Sequence, residues 1–223
     1  SGDIKEQYYF GSNERDIITI NSNGVSSNAE NKIYTLAGDD TIIASKGNNY
    51  IEAGSGNDTI DLSRTSKNSK NIVYADIKDS KHSDNKNNNN DTIIGGAGTD
   101  TIYGGSGFDT YRVGNGDTIY DDKDGEGTVF FNNIELTGGT YDKDKACYVG
   151  GIYEYHLNGN TLIVTDTAKN ESITINNYSK KDKSLGIDLI KADEIDIIIS
   201  NATVTKGDEN EPNKDGKAPY NTT

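Results

Sequence analysis

The 223-residue chain has no methionine and no tryptophan, one cysteine, two prolines and two histidines. With Cys147 alone, a disulfide framework and a thiolate metal cluster are excluded. His82 and His156 lie far apart and no H-E-x-x-H occurs, so zinc-protease chemistry is not encoded. No G-x-S-x-G elbow exists for a serine nucleophile. Carboxylates are so frequent that no pair stands out for glycoside hydrolysis. Basic residues are also scarce: 22 Lys and Arg face 36 Asp and Glu, a net charge of −14. Nucleic acid and anionic membranes are therefore poor partners. Leu, Ile, Val and Phe together make up just under a fifth of the chain. At this net charge, that is too little apolar surface for a conventional two-layer enzyme core. No apolar run approaches membrane-spanning length. The chain opens on Ser1-Gly2 rather than Met, which reads as an excised piece of a longer protein.

What is present is a repeat. The segments TLAGDDTII (35–43), AGSGNDTID (53–61), GGAGTDTIY (95–103) and GGSGFDTYR (104–112) share one nine-residue frame. Its first five positions are small or turn-forming, the sixth is Asp and the eighth is large and apolar. Weaker copies occur at 11–19, 26–34, 44–52 and 86–94, and a shortened one at 114–119. Each unit is a glycine-rich turn followed by a strand of about three residues, too short to stand alone. The eighth-position residues Ile18, Ile33, Ile42, Ile51, Ile60, Ile93, Ile102, Tyr111 and Ile119 are expected to point inward. Stacked Asp turns leave a carboxylate ladder that repels itself unless a cation lies between its rungs. Carboxylates and turn carbonyls are hard oxygen ligands, which select calcium over softer metals.

The frame G-G-x-G-x-D-x-U-x resembles the RTX (repeats-in-toxin) modules of bacterial type I-secreted proteins. The likeness is strongest over Gly95–Tyr103 and the copy that follows. It implies an all-β fold: a right-handed parallel β-roll, two nonapeptides per coil, with calcium between turns n and n+2 on one side. The metal ligands it implies are Asp40, Asp58, Asp91, Asp100, Asp109 and Asp117 with turn residues Gly38, Gly56, Gly96, Gly98, Gly105 and Gly107. Asp16 joins them if the insertion at 20–25 preserves phase.

Counting in nines puts Asp40 and Asp58 on one side of the roll and Asn31 and Asn49 on the other. Asn is neutral, so that side should bind calcium weakly or not at all, its amides stacking as a ladder instead. In the later copies Asp91 stacks with Asp109 and Asp100 with Asp117, so calcium is expected to load this second block more completely than the first. A lone Asp would merely satisfy its own turn, but recurrence at nine residues favours the metal.

The organisation expected is a lead-in with a first degenerate repeat (1–25), a first repeat block (26–61), an insertion and loop (62–90), a second block (91–120), an antiparallel β cap (121–204) and a linker or tail (205–223). The insertion holds one plausible strand, Asn71–Ala75, with Val73 inward, then a polar loop over 78–90. In the cap, strands are expected at 128–131, 152–157, 160–165, 172–178 and 194–200, with Asn158-Gly159 as a hairpin turn. The order YEYHLNGNTLIVTD…ESITINNYS resembles the region that caps the array in hemolysin-like proteins. A solenoid's last rung needs such cover. The cluster Asp121, Asp122, Asp124 fails as an EF-hand, since Tyr120 and Phe131 fall where the loop needs carboxylates.

Two functional classes follow. One is a non-catalytic module that folds on calcium after secretion and stabilises a larger extracellular protein. The other is an adhesin-type module that recognises a glycan or cell-surface partner through the inserted loop or the cap. An exposed face drawn from the 14 tyrosines would favour the second.

Overall fold

The computed structural model describes residues 4–20, 25–76, 89–120 and 125–191. Apart from Lys191, all of these belong to one compact unit, Ser1–Ile190. Most of the 78–90 loop with His82, the Asp121–Asp124 cluster, the strand expected at 194–200 and the tail lie outside the described residues.

Short strands separated by turns make up the first half: β1 (Ile4–Phe10), β2 (Ile17–Ile20), β3 (Val25–Tyr34), β4 (Thr41–Ala44), β5 (Asn48–Glu52), β6 (Thr59–Asp61), β7 (Lys70–Tyr74), β8 (Thr92–Ile94), β9 (Thr99–Tyr103), β10 (Asp109–Val113) and β11 (Thr118–Tyr120). Odd strands stack as one parallel sheet and even strands as another, so each pair of repeats makes one coil. The fold is a parallel β-roll. Ile33, Ile51, Val73, Ile102 and Ile119 are in register in the first sheet. Ile18, Ile42, Ile60, Ile93 and Tyr111 are in register in the second. All are fully buried except Ile18, which is partly covered because β2 is the edge strand. Two β-branched ladders facing each other thus form the core of a sequence poor in apolar residues.

The interruption at 62–88 does not break this phase. Within it β7 takes the place of a repeat between β5 and β9, while β6 pairs directly with β8.

The roll continues into β12 (Gly127–Phe131), β13 (Ile134–Glu135), β14 (Gly138–Asp142), β15 (Cys147–Gly150), β16 (Tyr153–Asn158), β17 (Thr161–Asp166), β18 (Glu171–Asn176) and β19 (Asp188–Ile190). Here β12 pairs parallel with β10, and β18 pairs parallel with β11. Both last rungs are thereby covered. β14 to β18 run antiparallel as an extension of the odd-strand sheet, giving it twelve strands against seven. The hairpin joining β16 to β17 turns on Gly159-Asn160, one residue later than the expected Asn158-Gly159, because Asn158 pairs with Thr161; Gly159 has φ 62°. Among the described residues the only helical piece is a 3-10 turn, Ser184–Gly186. No described helix is long and apolar enough to cross a membrane.

Outside the twelve-stranded sheet Tyr8, Phe10, Tyr34, Tyr50, Tyr74, Tyr103 and Tyr120 form a continuous row of rings, with centroids 4.5–6.3 Å apart.

Candidate metal centre

The sixth position of each repeat begins the strand, where the chain leaves a turn and enters the sheet. Its side chain is held at the edge of the roll, directly above and below its counterparts. On the seven-stranded side these residues are Asp16, Asp40, Asp58, Asp91 and Asp109. Each backbone N–H donates to the next carboxylate: Asp16 to Asp40 Oδ1 (2.7 Å), Asp40 to Asp58 Oδ1 (2.8 Å), Asp58 to Asp91 Oδ1 (2.7 Å) and Asp91 to Asp109 Oδ1 (2.9 Å). The phase expected for Asp16 holds, because β2 pairs in register with β4.

One oxygen of each carboxylate is thus spent on the backbone. The other oxygens of Asp40, Asp58 and Asp91 are buried and have no hydrogen-bond partner among the described residues. A buried, unpartnered carboxylate oxygen costs free energy unless a proton or a cation meets it. Burial, with the neighbouring carboxylates adding to it, pushes Asp58 up to about 7 and Asp91 up to about 9. Asp40 moves in the same direction, mainly through burial. At the two ends of the row the second oxygen is engaged. Ser12 donates its N–H to Asp16 Oδ2 (2.6 Å), and the Tyr111 hydroxyl donates to Asp109 Oδ2 (3.2 Å).

The twelve-stranded side carries Asn31, Asn49, Asn71, Asp100 and Asp117. Asn31 Nδ2 donates to Asn49 Oδ1 (2.8 Å), Asn49 Nδ2 to Asn71 Oδ1 (2.8 Å) and Asn71 Nδ2 to Asp100 Oδ1 (2.6 Å). Each amide donates to the next acceptor and the last donor goes to a carboxylate, while Asn31 Oδ1 at the head of the row is buried with no partner among the described residues. Below them the Asp100 N–H donates to Asp117 Oδ1 (2.8 Å). The second oxygens close their own turns, accepting from the Gly96 and Gly114 N–H groups at 2.8 Å. Burial raises both groups, Asp117 up to about 7 with Asp100 adding to it. Beside Gly95, a Cβ would stand 3.0 Å from Asp117 Oδ2, 3.1 Å from Asp100 Oδ2 and 3.2 Å from the Arg112 carbonyl. Three oxygens from two rungs converge there because no side chain fills the space.

The turns leave no room for larger residues. Gly56 has φ 133°, and a Cβ there would lie 2.1 Å from the Gly38 carbonyl. Gly38 stacks above it on the turn that leads to Asp40, and Gly105 and Gly107 lie on the turn that leads to Asp109. Gly96 and Gly98 occupy the turn before Asp100, packed on Leu62, Ser66 and Ser69.

Nonapeptides stacked on two sheets, glycine turns and a buried Asp row describe a known motif. The family model of the RTX calcium-binding nonapeptide repeat (4 copies) matches residues 27–63 and 87–120. The chain carries RTX calcium-binding repeats. Its cation is calcium, in keeping with the all-oxygen donors of the RTX turns. No curated protein matches the chain.

On the seven-stranded side the Asp row runs continuously across the interruption, since Asp58 sits directly on Asp91, whereas on the twelve-stranded side the RTX carboxylates begin only at Asp100. One member of the edge rows and one further buried acid were not foreseen. Asn71 precedes Val73 by two residues, as Asn49 precedes Ile51, and that spacing marks it as a sixth-position residue. Asp76 has no such signal. It lies just after β7, nine-tenths buried, and accepts from Asn89 Nδ2 (2.5 Å) and from the Ser106 N–H (2.8 Å) and hydroxyl (3.0 Å). It ties the chain on both sides of the interruption together.

Proposed function

We propose that this RTX module is a non-catalytic calcium-driven folding unit of a secreted bacterial protein. It folds where calcium is abundant and stabilises the larger polypeptide around it. The observation that carries this reading is the buried oxygen left unpartnered on Asp40, Asp58 and Asp91. Those oxygens, with Asp109 and the turn carbonyls at Gly38, Gly56, Gly105 and Gly107, are the ligands we assign to calcium on the seven-stranded side. Asp100 and Asp117 with the Arg112 carbonyl are those we assign on the other side. Bound calcium supplies the positive charge that lets stacked carboxylates stay ionised while buried. A cation that binds only the folded roll adds about 2.7 kcal/mol per site at a hundredfold excess over Kd. Several sites together reverse the balance of a chain whose composition alone would leave it unfolded.

The alternative, an adhesin-type module that binds a glycan, gains no support from the tyrosine row. Tyr74, Tyr103 and Tyr120 stack on one another at 4.5 and 4.7 Å with planes 6° and 12° apart. Both faces of Tyr103 and one face each of Tyr74 and Tyr120, which a sugar ring would need, are thereby covered. Circular dichroism of the full chain tests the folding reading. β-Structure should appear with millimolar calcium and retreat with chelator, while magnesium should not substitute. A spectrum unchanged by chelator at neutral pH overturns it.

A further inference from the structure

Outside the RTX turns, the antiparallel strands bring together donors of a different kind. β15 and β16 form a tight hairpin in which Tyr148 pairs with Tyr155, both buried in the core. Residues alternate across a strand, so Cys147 and His156 flank that pair on the opposite face, and Glu154 joins His156 there two residues away. The Sγ, imidazole nitrogen and carboxylate oxygen of Cys147, His156 and Glu154 all lie within 4.8 Å of one another. The site already holds a cationic group. Lys145 Nζ is 2.8 Å from Glu154 Oε1, and His156 Nε2 is 3.8 Å from Glu154 Oε2.

We propose that Cys147, Glu154 and His156 form a second metal site, for a borderline-soft divalent cation of the zinc class, on the outer face of the β15–β16 hairpin. Hard–soft matching separates it from the RTX turns. Thiolate and imidazole favour zinc or cobalt over calcium, whereas the turns offer oxygen alone. One thiolate, one imidazole and one carboxylate from two adjacent strands make a three-ligand set of the kind that leaves a fourth position open on zinc. Rigidity comes from the strand pairing, which fixes the backbone of all three ligands. Lys145 stands where the dication would, and being half-exposed it can swing into solvent when displaced. Metal binding here expels the thiol proton and the Lys145 ammonium, so the local charge stays balanced.

Cobalt titration of the full chain in saturating calcium tests the proposal, because calcium then occupies the RTX turns. Cys147 is the only cysteine, so a thiolate-to-cobalt charge-transfer band reports this site alone. One equivalent of cobalt should saturate the band. Zinc should abolish it, and added calcium should not. His156→Ala, a change at a half-exposed position, should weaken cobalt binding at least about tenfold, and Cys147→Ser should remove the band. Should Cys147→Ser fail to fold, His156→Ala and Glu154→Gln carry the test. No band with the unaltered chain overturns the site, as does a cobalt midpoint unmoved by both His156→Ala and Glu154→Gln.

Discussion

The two edges of the roll solve one geometric problem with opposite chemistry. On each edge, sixth-position side chains stack at every rung, buried and within hydrogen-bond reach of the next. The twelve-stranded edge begins with three amides, which can donate and accept at once and so satisfy one another. The seven-stranded edge is Asp from end to end, and ionised carboxylates accept only. Each can take the N–H of the rung before it, but the second oxygen at Asp40, Asp58 and Asp91 is left over. The amide row leaves one buried oxygen over, Asn31 Oδ1 at its head, and needs no charge to meet it. The carboxylate row leaves three on acidic groups, and under the proposed function these are what couple folding to calcium.

The largest effect, carried by the buried carboxylates of both edges, should appear when calcium is removed and pH is varied. In the calcium-free roll burial pushes Asp58 up to about 7 and Asp91 up to about 9 on the seven-stranded edge, and Asp117 up to about 7 on the other. Between about pH 4 and 9 the folded state therefore binds more protons than the unfolded chain. Stability in chelator should be greatest at the low end of that window and fall by several kcal/mol from about pH 4 upward, levelling off as pH passes the raised values of about 7 and 9. Calcium should abolish that fall by replacing the protons. Urea titrations in chelator at pH 5 and pH 8 measure it, and equal midpoints would show that the Asp row carries no such penalty.

Exchanging one residue between the edges should have the next largest effect. Asp91→Asn gives the carboxylate row an amide at its most strongly perturbed rung. It should stabilise the calcium-free roll by about 2 kcal/mol and lower the calcium stoichiometry by about one. Asn49→Asp is the reverse exchange. It removes the donor to Asn71 and buries a charge between two amides, costing about 3 kcal/mol in chelator. It should add no calcium site by itself, because Asn31 and Asn71 supply no charge. Adding Asn31→Asp to it should create about one site. Calorimetric calcium titration of the four chains decides whether carboxylates must come in pairs.

Much of this contrast was legible in the sequence, because the nine-residue period fixes which residues share an edge. The separation of Asp40 and Asp58 from Asn31 and Asn49 follows from counting alone. So does the inward row of isoleucines, with Ile18 less covered only because it lies on an edge strand. The continuity across the interruption was not legible. That β6 stacks on β8 and β7 on β9 depends on where an aperiodic segment leaves and re-enters the roll. Asp76, which accepts from both Asn89 and Ser106, likewise belongs to no period. Among the terminal strands the β16–β17 hairpin could be read from Asn158-Gly159, although its turn falls one residue later, on Gly159-Asn160. β14 and β15 escaped because Gly138-Gly139 and Gly150-Gly151 mask them as loop. Their pairing is set by long-range packing: a Cβ on Gly150 would stand 1.9 Å from the Gly138 carbonyl.

The smallest expected effect concerns the tyrosine row, which runs only along the amide-bearing sheet. Its rings are uncharged, and their stacking does not depend on whether the turns hold a cation. Tyr103 lies at the tightest part, 4.5 Å from Tyr74 and 4.7 Å from Tyr120. Tyr103→Leu keeps a bulky apolar side chain on the strand but removes both stacking partners. The loss should be about 1 kcal/mol, near the usual worth of an aromatic pair beyond its buried area. The informative quantity is how this loss varies with calcium. If stacking and cation binding are independent, the loss should match within about 0.5 kcal/mol in saturating calcium and in chelator at pH 5, where the roll is protonated and folded. A loss seen only with calcium would mean that the row forms after the carboxylate edge is neutralised. The two edges would then fold as one cooperative unit, rather than as an amide-satisfied half that can wait for a calcium-dependent one.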